Sequence, residues 1–233
     1  MALGAGNGGL RNRFRGYSGA RPDVVRLLPA EARRVLDVGC GAGMTAALVR
    51  ERCPAVHVIG LEPSEELAAH AAKQVDEIIV GRVDDDSVLG ALAAQAPFDV
   101  IICADVLEHL AEPLPVLQAL AGQLSPGGCL ITSIPNVRHL STFIALGLLG
   151  TWPARDRGIH DRTHLRFFAR RDILRLGAEA GLKPSCERRN VRLIESKAWT
   201  LVLAKVMDFW PLRGFVTFQY LHRWTRAVDE RGA

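Results

Sequence analysis

The chain has 233 residues, of which 48% are hydrophobic and 23% are charged, with a formal net charge of +4 and an isoelectric point near 9.0. This composition excludes an intrinsically disordered chain and is typical of one domain with a full hydrophobic core. The mild basic excess permits an anionic partner without requiring one.

The sequence carries no recognisable signal peptide and no apolar run of about 18 residues, so we expect a cytoplasmic protein without a transmembrane segment. Its five cysteines are odd in number and scattered, without C-x-x-C spacing. This pattern predicts reduced thiols in the core rather than a disulfide framework. The five are Cys40, Cys53, Cys103, Cys129 and Cys186.

The N-terminal residues are rich in glycine and arginine and lack an apolar period. We therefore expect residues 1–16 to form a flexible arm that precedes a single domain at 17–233. A short helix is predicted over 21–28, because a proline stands where a first helical turn tolerates one. An apolar strand over 35–38 and a helix over 44–52 follow.

A glycine-rich turn joins that strand to its helix. Gly39, Gly41 and Gly43 occupy alternate positions, and Asp37 lies two residues before the first of them. Glycine suits a backbone with positive φ or a ligand pressed against the chain. The helix that follows offers free N–H groups to the turn. An acid at this point suits a cationic ligand better than the pyrophosphate of a dinucleotide.

The second apolar strand is predicted over 56–61 and ends at Glu62, about 20 residues beyond the glycines, as a ribose-binding acid does. An acid in this position accepts hydrogen bonds from both ribose hydroxyls. A helix over 65–74 and a third strand over 77–80 come next.

Strand and helix continue to alternate, with strands predicted over 98–104 and 129–134 around a helix over 113–124. This alternation predicts an open α/β sheet, Rossmann-like and mostly parallel, with helices on both faces. Ligands of such sheets bind at the carboxyl ends of the strands. The residues expected to converge there are Asp37, Gly39, Glu62, Asp84, Asp105, Pro135 and Asn136.

A second group of polar residues follows the fourth strand. If a helix begins at Asp105, that residue shares one face with Glu108 and His109, and the three form half of a divalent-metal site. A loop containing residues 160–168 can fold back over the same cleft and add His164 as a fourth ligand. Local pairing of the acid and packing of the imidazole is the alternative.

The C-terminal part is predicted to add a helix over 171–180 and strands over 183–189 and 215–221. Between these strands, residues 193–209 have apolar side chains at helical spacing. We interpret this stretch as a lid, a homodimer face, a membrane-surface helix or an amphipathic helix packed on the sheet.

The sequence D-x-G-x-G-x-G closely resembles motif I of the class I S-adenosylmethionine-dependent methyltransferases, and the segments FDVIICADVLEHL, LSPGG and SIPN resemble their later motifs. The resemblance extends from about Tyr17 to Gly181. It implies a seven-stranded sheet with an antiparallel last strand and S-adenosyl-L-methionine as methyl donor. In that family the loop after the third strand reads the adenine; because Arg82 follows the glycine here, we assign that role to Asp84. The implied cofactor-binding residues are Asp37, Gly39, Cys40, Gly41, Gly43, Glu62, Val83, Asp84, Ala104 and Asp105.

The segment D-x-x-E-H resembles E-x-x-E-H in two groups of O-methyltransferases, those of the ubiquinone pathway and those that methylate the terminal 2′-hydroxyl of small RNAs. In those groups a metal holds neighbouring substrate oxygens. The resemblance implies Asp105, Glu108, His109 and His164 as ligands, and Mg²⁺ suits two carboxylates and waters. A hydroxyl acceptor also needs a base or a Lewis acid. The catalytic candidates are His109, His164, His139 and Glu108.

Residues 133–168 resemble bacterial methyltransferases of glycan and polysaccharide assembly, which implies a saccharide hydroxyl as acceptor. Residues 136–170 and 190–214 are then substrate-side insertions or a lid. The alternatives are O-methylation of a small phenol or quinone, and a non-catalytic partner subunit. A nucleic-acid acceptor is disfavoured, because no aromatic–basic platform accompanies the arginines.

Overall fold

The structure is a computed structural model that describes residues 19–193 and 207–227. The predicted arm at 1–16 and nearly all of the amphipathic stretch at 193–209 lie outside these residues. Within the described part, no helix is both long enough and apolar enough to cross a bilayer.

The elements alternate as the sequence predicts. The strands are β1 (Arg34–Val38), β2 (His57–Glu62), β3 (Glu77–Val80), β4 (Phe98–Ala104), β5 (Leu124–Pro135), β6 (Leu182–Val191) and β7 (Thr217–Arg226). The helices are α1 (Pro22–Val25), α2 (Met44–Arg52), α3 (Glu65–Ala71), α4 (Asp86–Gln95), α5 (Pro113–Gly122), α6 (Leu140–Phe143), α7 (Arg170–Glu179) and α8 (Arg213–Val216). A 3₁₀ turn covers Leu107–His109, and a π-helical turn, Ile144–Leu148, extends α6.

The seven strands form one sheet in the order β3-β2-β1-β4-β5-β7-β6, and this confirms the predicted fold. The pairs among β1 to β5 are parallel, whereas β7 runs antiparallel to both β5 and β6. The carboxyl ends of β1, β2, β4 and β5 therefore meet at one edge. That edge is where the candidate site lies.

Helices cover both faces of the sheet, because the strands bury alternate side chains on opposite sides. Leu36 and Ile101 belong to one apolar cluster, whereas Val35 and Val100 belong to the other. The central strands are thus buried on both faces, whereas the edge strands β3 and β6 are partly exposed. All five cysteines are free thiols, and only Cys186 is not fully buried.

Several predicted boundaries were wrong. The helix predicted over 21–28 is a single turn, Pro22–Val25, and the helix predicted over 65–74 ends at Ala71. The strand predicted over 215–221 runs instead from Thr217 to Arg226, because it pairs along the whole of β6. Residues 86–95, for which the sequence analysis predicts no element, form the helix α4.

Gly177 on α7 packs directly against the sheet. A Cβ at this position would lie 2.4 Å from Cζ3 of Trp224, which is itself buried and donates a 2.9 Å hydrogen bond to Thr132. We expect Gly177→Ala to lower the free energy of unfolding by about 1–3 kcal/mol, measured by urea denaturation. Gly90→Ala on exposed α4, where a Cβ meets nothing within 4 Å, should instead raise it by up to about 1 kcal/mol. A neutral Gly177→Ala would contradict this packing.

Candidate active site

The glycine turn after β1 adopts a conformation that only glycine takes readily. Gly39, Gly41 and Gly43 have φ angles of +69°, +57° and +77°, in the left-handed region. The Gly39 N–H donates a 2.8 Å hydrogen bond to the Leu61 carbonyl and thereby fixes the turn against β2. A Cβ at Gly43 would lie 3.0 Å from Cα of Ala71, so the close approach of the end of α3 also requires glycine.

Two buried acids flank this turn. The Glu62 carboxylate accepts hydrogen bonds from the Gly41 N–H at 2.9 Å and the Ser64 N–H at 3.0 Å, which hold it at the end of β2. Burial raises the pKa of Asp37 to about 7, an effect that nearby Glu62 adds to and Arg21 opposes. Asp37 therefore exchanges its proton near neutral pH.

Two cavities open at this edge of the sheet and adjoin each other. The larger cleft has a volume of about 1020 Å³ and contains Asp37, and the smaller has a volume of about 360 Å³ and contains Glu62. Gly39, Asp105 and His109 line both. The arrangement can hold an elongated ligand that passes over the glycine turn, with a second molecule beside it.

The predicted cofactor-binding residues surround these cavities. Asp37, Gly39, Cys40, Ala104 and Asp105 line the large cleft, and Gly39, Glu62, Val83, Asp84 and Asp105 line the small one. Gly41 and Gly43 shape the turn without lining either cavity.

Asp84 is anchored at the rim of the small cavity. Its carboxylate pairs with the Arg82 guanidinium at 2.8 and 3.0 Å, and this hydrogen bonding lowers the pKa of Asp84. Arg82, which departs from the family pattern, therefore keeps Asp84 ionised at the cavity wall.

Arg21 is a site residue that the sequence analysis missed. Its guanidinium pairs with Asp105 and Asp23, donates a 2.8 Å hydrogen bond to Ser133, and lines the large cleft close to Asp37. In the sequence, Arg21 stood out only as the first residue of the helix predicted over 21–28. Its role depends on contacts with residues more than 80 positions away.

Asp105 does not join the predicted metal site. No helix begins there: its φ is +58°, and the following turn is the 3₁₀ segment Leu107–His109. Its carboxylate instead accepts hydrogen bonds from Arg21 and Gln219. The expectation that Asp105, Glu108 and His109 share one helical face was wrong, because these two long-range partners hold Asp105 in a left-handed turn.

The structure does bring Glu108, His109 and His164 together. One ligand atom from each residue lies within 4.8 Å of the others. The loop that carries His164 folds back because the N–H groups of Leu165 and Arg166 both donate to the Glu108 carbonyl, at 2.8 and 3.0 Å. The predicted return of this loop over the cleft is thus explained by backbone hydrogen bonds.

Both imidazoles of this group make polar contacts through Nδ1. His164 Nδ1 lies 3.2 Å from the Ile159 carbonyl, and His109 Nδ1 lies 3.1 Å from the Thr163 hydroxyl. Each contact leaves Nε2 available to a ligand. The Glu108 side chain is 1% exposed, and neither of its carboxylate oxygens has a hydrogen-bond partner.

This group contains a buried acid whose oxygens make no hydrogen bond. Burial, reinforced by the charge of Asp105, raises the pKa of Glu108 well above its ordinary value. Burial also lowers the pKa of His164, with a contribution from His109. A buried carboxyl without partners costs free energy unless a ligand satisfies it, and a divalent cation would do so.

His139 does not reach either cavity. It is buried at the start of α6, where its Nδ1 accepts from the Ser141 N–H and its Nε2 lies 2.7 Å from the Arg192 carbonyl. These contacts assign it to the support of α6 rather than to proton transfer, which corrects the prediction of His139 as a catalytic base.

Comparison with known proteins places the chain in a family. A family model described as "Methyltransferase domain" matches residues 10–187. The chain is 29% identical to a ubiquinone biosynthesis O-methyltransferase of Aeromonas salmonicida, covering 64% of this chain and 63% of that protein. It is 31% identical to the protein of that name from Cereibacter sphaeroides, covering 77% and 72%. It is also 32% identical to a trans-aconitate 2-methyltransferase of Azoarcus, covering 60% and 54%. The chain thus spans less than two thirds of the Aeromonas and Azoarcus proteins.

Solved structures agree on the fold. An S-adenosylmethionine-dependent methyltransferase from Mesorhizobium loti superposes with a TM-score of 0.61 at 19% identity, covering 91% of this chain and all of that one. A Thermotoga maritima protein described as a possible histamine N-methyltransferase gives 0.60 at 16% identity, covering 93% and 94%. From the matched family model and the seven-stranded sheet, the chain belongs to the S-adenosylmethionine-dependent methyltransferases.

Proposed function

We propose that this chain transfers the methyl group of S-adenosylmethionine to a hydroxyl whose neighbouring oxygen is held by a divalent cation. The observation that carries the proposal is the buried Glu108 carboxylate, whose oxygens make no hydrogen bond and whose Oε1 lies 4.0 Å from Nε2 of His164, with His109 beside them. Of these three residues, His109 lines both cavities. A group that binds there would stand where the cofactor and the acceptor meet.

The cofactor fits the cavities by its chemistry. Glu62 at the small cavity offers carboxylate oxygens to ribose hydroxyls, and Asp84 offers an acceptor to an exocyclic amine. Asp37 in the large cleft attracts an ammonium group, and we assign the cofactor's carboxylate to Arg21. The bound cofactor supplies an electrophilic methyl group on a sulfonium.

The cation site fits a different metal from the one expected. Mg²⁺ was predicted on two carboxylates, but the residues that come together offer one carboxylate and two imidazoles. This donor set favours Mn²⁺, Fe²⁺ or Zn²⁺. Glu108, His109 and His164 would hold the ion, which would lower the pKa of an acceptor hydroxyl.

The chain's own residues orient and sequester the reactants. Arg21 pairs with Asp105 at the junction of the cavities, and Asp37, which forms no ion pair among the described residues, is the acid we assign to the cofactor's ammonium group. Residues 154–158 and Arg162 also line the large cleft, and we assign them to shielding the acceptor from water. If the ion site is empty, His109 Nε2 is the group that can accept the hydroxyl proton.

The acceptor should present two neighbouring oxygens. We propose a vicinal diol of a saccharide as the first candidate. A small phenolic or quinone-type metabolite is the second, and the names of the ubiquinone-biosynthesis relatives favour it. Both chemistries can chelate one ion.

Transfer of a labelled methyl group tests the proposal. Purified protein is incubated with labelled S-adenosylmethionine and Mn²⁺, or with EDTA, together with panels of monosaccharides, oligosaccharides and catechols. We expect product only with acceptors that carry adjacent oxygens, and loss of product with EDTA. Binding of S-adenosylhomocysteine without turnover on any hydroxyl would instead favour a non-catalytic partner subunit.

Cofactor affinity should depend on the ionisation of Asp37. Because its pKa lies at about 7, the affinity for S-adenosylhomocysteine should rise as the pH increases from 6 to 8. Asp37→Asn should bind weakly and with a flat profile by calorimetry. The pKa of Asp37 is higher in the folded chain than in the unfolded chain. The free energy of unfolding of the cofactor-free protein should therefore fall as the pH rises towards and past 7. This fall should be smaller in Asp37→Asn. An unchanged affinity profile in the variant would contradict the assignment.

A further inference from the structure

An exposed apolar face lies beside the large cleft. The helix α6 and its π-helical extension present Phe143, Ile144, Leu146, Leu148 and Leu149 to solvent. Leu148 is 72% exposed and Leu149 is 69% exposed. Contiguous apolar exposure of this kind on a soluble fold marks an interaction surface.

Other elements extend this face. Phe143 packs edge-on against Phe215, with ring centroids 6.4 Å apart, and Phe215 belongs to the loop-and-helix segment that also carries the exposed Trp210. On the other side, Trp152 packs against the half-exposed ring of Phe167 at 4.8 Å. We call residues 143–152, Phe167 and 209–210 the apolar face.

Two arginines that lie over aromatic rings near α6 have no carboxylate partner among the described residues. The guanidinium of Arg138 lies over the ring of Phe215 at 5.3 Å, and that of Arg192 lies over Phe218 at 5.0 Å. In the described ranges neither guanidinium pairs with a carboxylate. Their N–H groups remain free to bind phosphate oxygens.

We propose that the apolar face is a peripheral docking surface for an anionic lipid bilayer. Leucine and aromatic side chains at a convex surface enter the acyl boundary, and tryptophan prefers the headgroup level. Arg138 and Arg192 then meet lipid phosphates, and the chain's charge of +4 strengthens this attraction. Because the described helices cannot span a bilayer, the contact is confined to one leaflet.

The location gives this docking a consequence for the site. Ser141 on α6 and Arg192 also line the large cleft. Docking therefore brings the acceptor side of the cleft close to the lipid headgroups. The docking itself does not depend on the proposed reaction.

Vesicle co-sedimentation tests the proposal. The probes are vesicles of phosphatidylcholine alone and vesicles of phosphatidylcholine mixed with phosphatidylglycerol, with no acceptor present. We expect binding to the anionic vesicles, weakened by added salt. The double variant Leu148→Ser, Leu149→Ser should bind the anionic vesicles about tenfold or more weakly than the unaltered chain. Arg138→Gln should also bind them more weakly, and its difference from the unaltered chain should shrink as salt is added. Because vesicle binding is measured without methyl transfer, its failure is distinguishable from failure of the proposed function.

Val80→Ser is the matched control, since Val80 is an exposed apolar residue on β3 at the other edge of the sheet. It should bind vesicles like the unaltered chain. Calorimetry with S-adenosylhomocysteine checks that each variant is folded. The proposal is overturned if neither vesicle binds the chain, or if the double variant binds normally. It is also overturned if the unaltered chain forms a dimer that the double variant cannot form and that excludes vesicles.

Discussion

Replacing Gly39 with valine is expected to reduce the affinity for S-adenosylhomocysteine by about 100-fold or more. Gly39 has a φ of +69° and lines both cavities, and a Cβ there would already lie 3.0 Å from Cγ2 of Val106. A β-branched residue in this conformation costs about 1–3 kcal/mol, and its methyl groups would occupy the space through which the cofactor must pass. Isothermal titration calorimetry measures the loss.

Gly127→Val provides the control for backbone strain. Gly127 has a φ of +77° and a Cβ there would meet nothing within 4 Å. It lies at the end of β5 remote from the site. A variant that loses some stability but keeps its cofactor affinity would show that strain alone does not cause the effect at Gly39. Normal affinity in Gly39→Val would remove the glycine turn from the cofactor site.

The cofactor side of the site could be predicted because its signals are local. Asp37 and Glu62 each stand at the carboxyl end of an apolar strand, and parallel pairing of β1 with β2 makes such ends neighbours. The spacing of the glycines indicated where the backbone takes positive φ. These inferences required only the alternation of strands and helices, which apolar patterning determines.

Asp105 and Arg21 were beyond such reasoning, since their positions depend on contacts between distant parts of the chain. The spacing of Asp105, Glu108 and His109 favours a helix, but Arg21, 84 positions earlier, and Gln219, 114 positions later, hold Asp105 in a turn. Propensity is a weak prior when such contacts compete with it. The sequence carries no pattern that pairs Asp105 with Arg21 or Gln219.

That turn also bears on the predicted metal site, which stays a prediction. Asp105 is engaged by the Arg21 guanidinium and lies outside the group formed by Glu108, His109 and His164. His164 was expected to join Glu108 and His109 through a loop that folds back over the cleft, and the structure brings these three residues together. The group they form offers one carboxylate and two imidazoles, and its role as a metal site stays a prediction.

Replacing Glu108 with glutamine is expected to abolish turnover, because Glu108 provides the only carboxylate of the group that it forms with His109 and His164. The affinity for S-adenosylhomocysteine should stay within about twofold, because Glu108 lines neither cavity. We expect a fall in kcat/KM of about 100-fold or more, comparable with loss of a metal ligand or its orientation. Co²⁺ titration followed by absorption provides a second readout that does not depend on activity. The unaltered chain should bind Co²⁺ more tightly as the pH rises and release a proton, since the raised pKa of Glu108 means that the ion displaces a proton.

Glu112→Gln is the matched control for this substitution. Glu112 lies four residues further along, is exposed, and pairs with Arg166 at 2.8 Å rather than with the group. It should keep turnover, Co²⁺ binding and proton release. If Glu108→Gln loses turnover but still binds Co²⁺ with proton release, the ion lies elsewhere and Glu108 acts as a base or a positioning group. If Glu108→Gln retains full turnover, neither Glu108 nor a cation held by it takes part in the reaction. His109 alone would then remain as the group that accepts the hydroxyl proton.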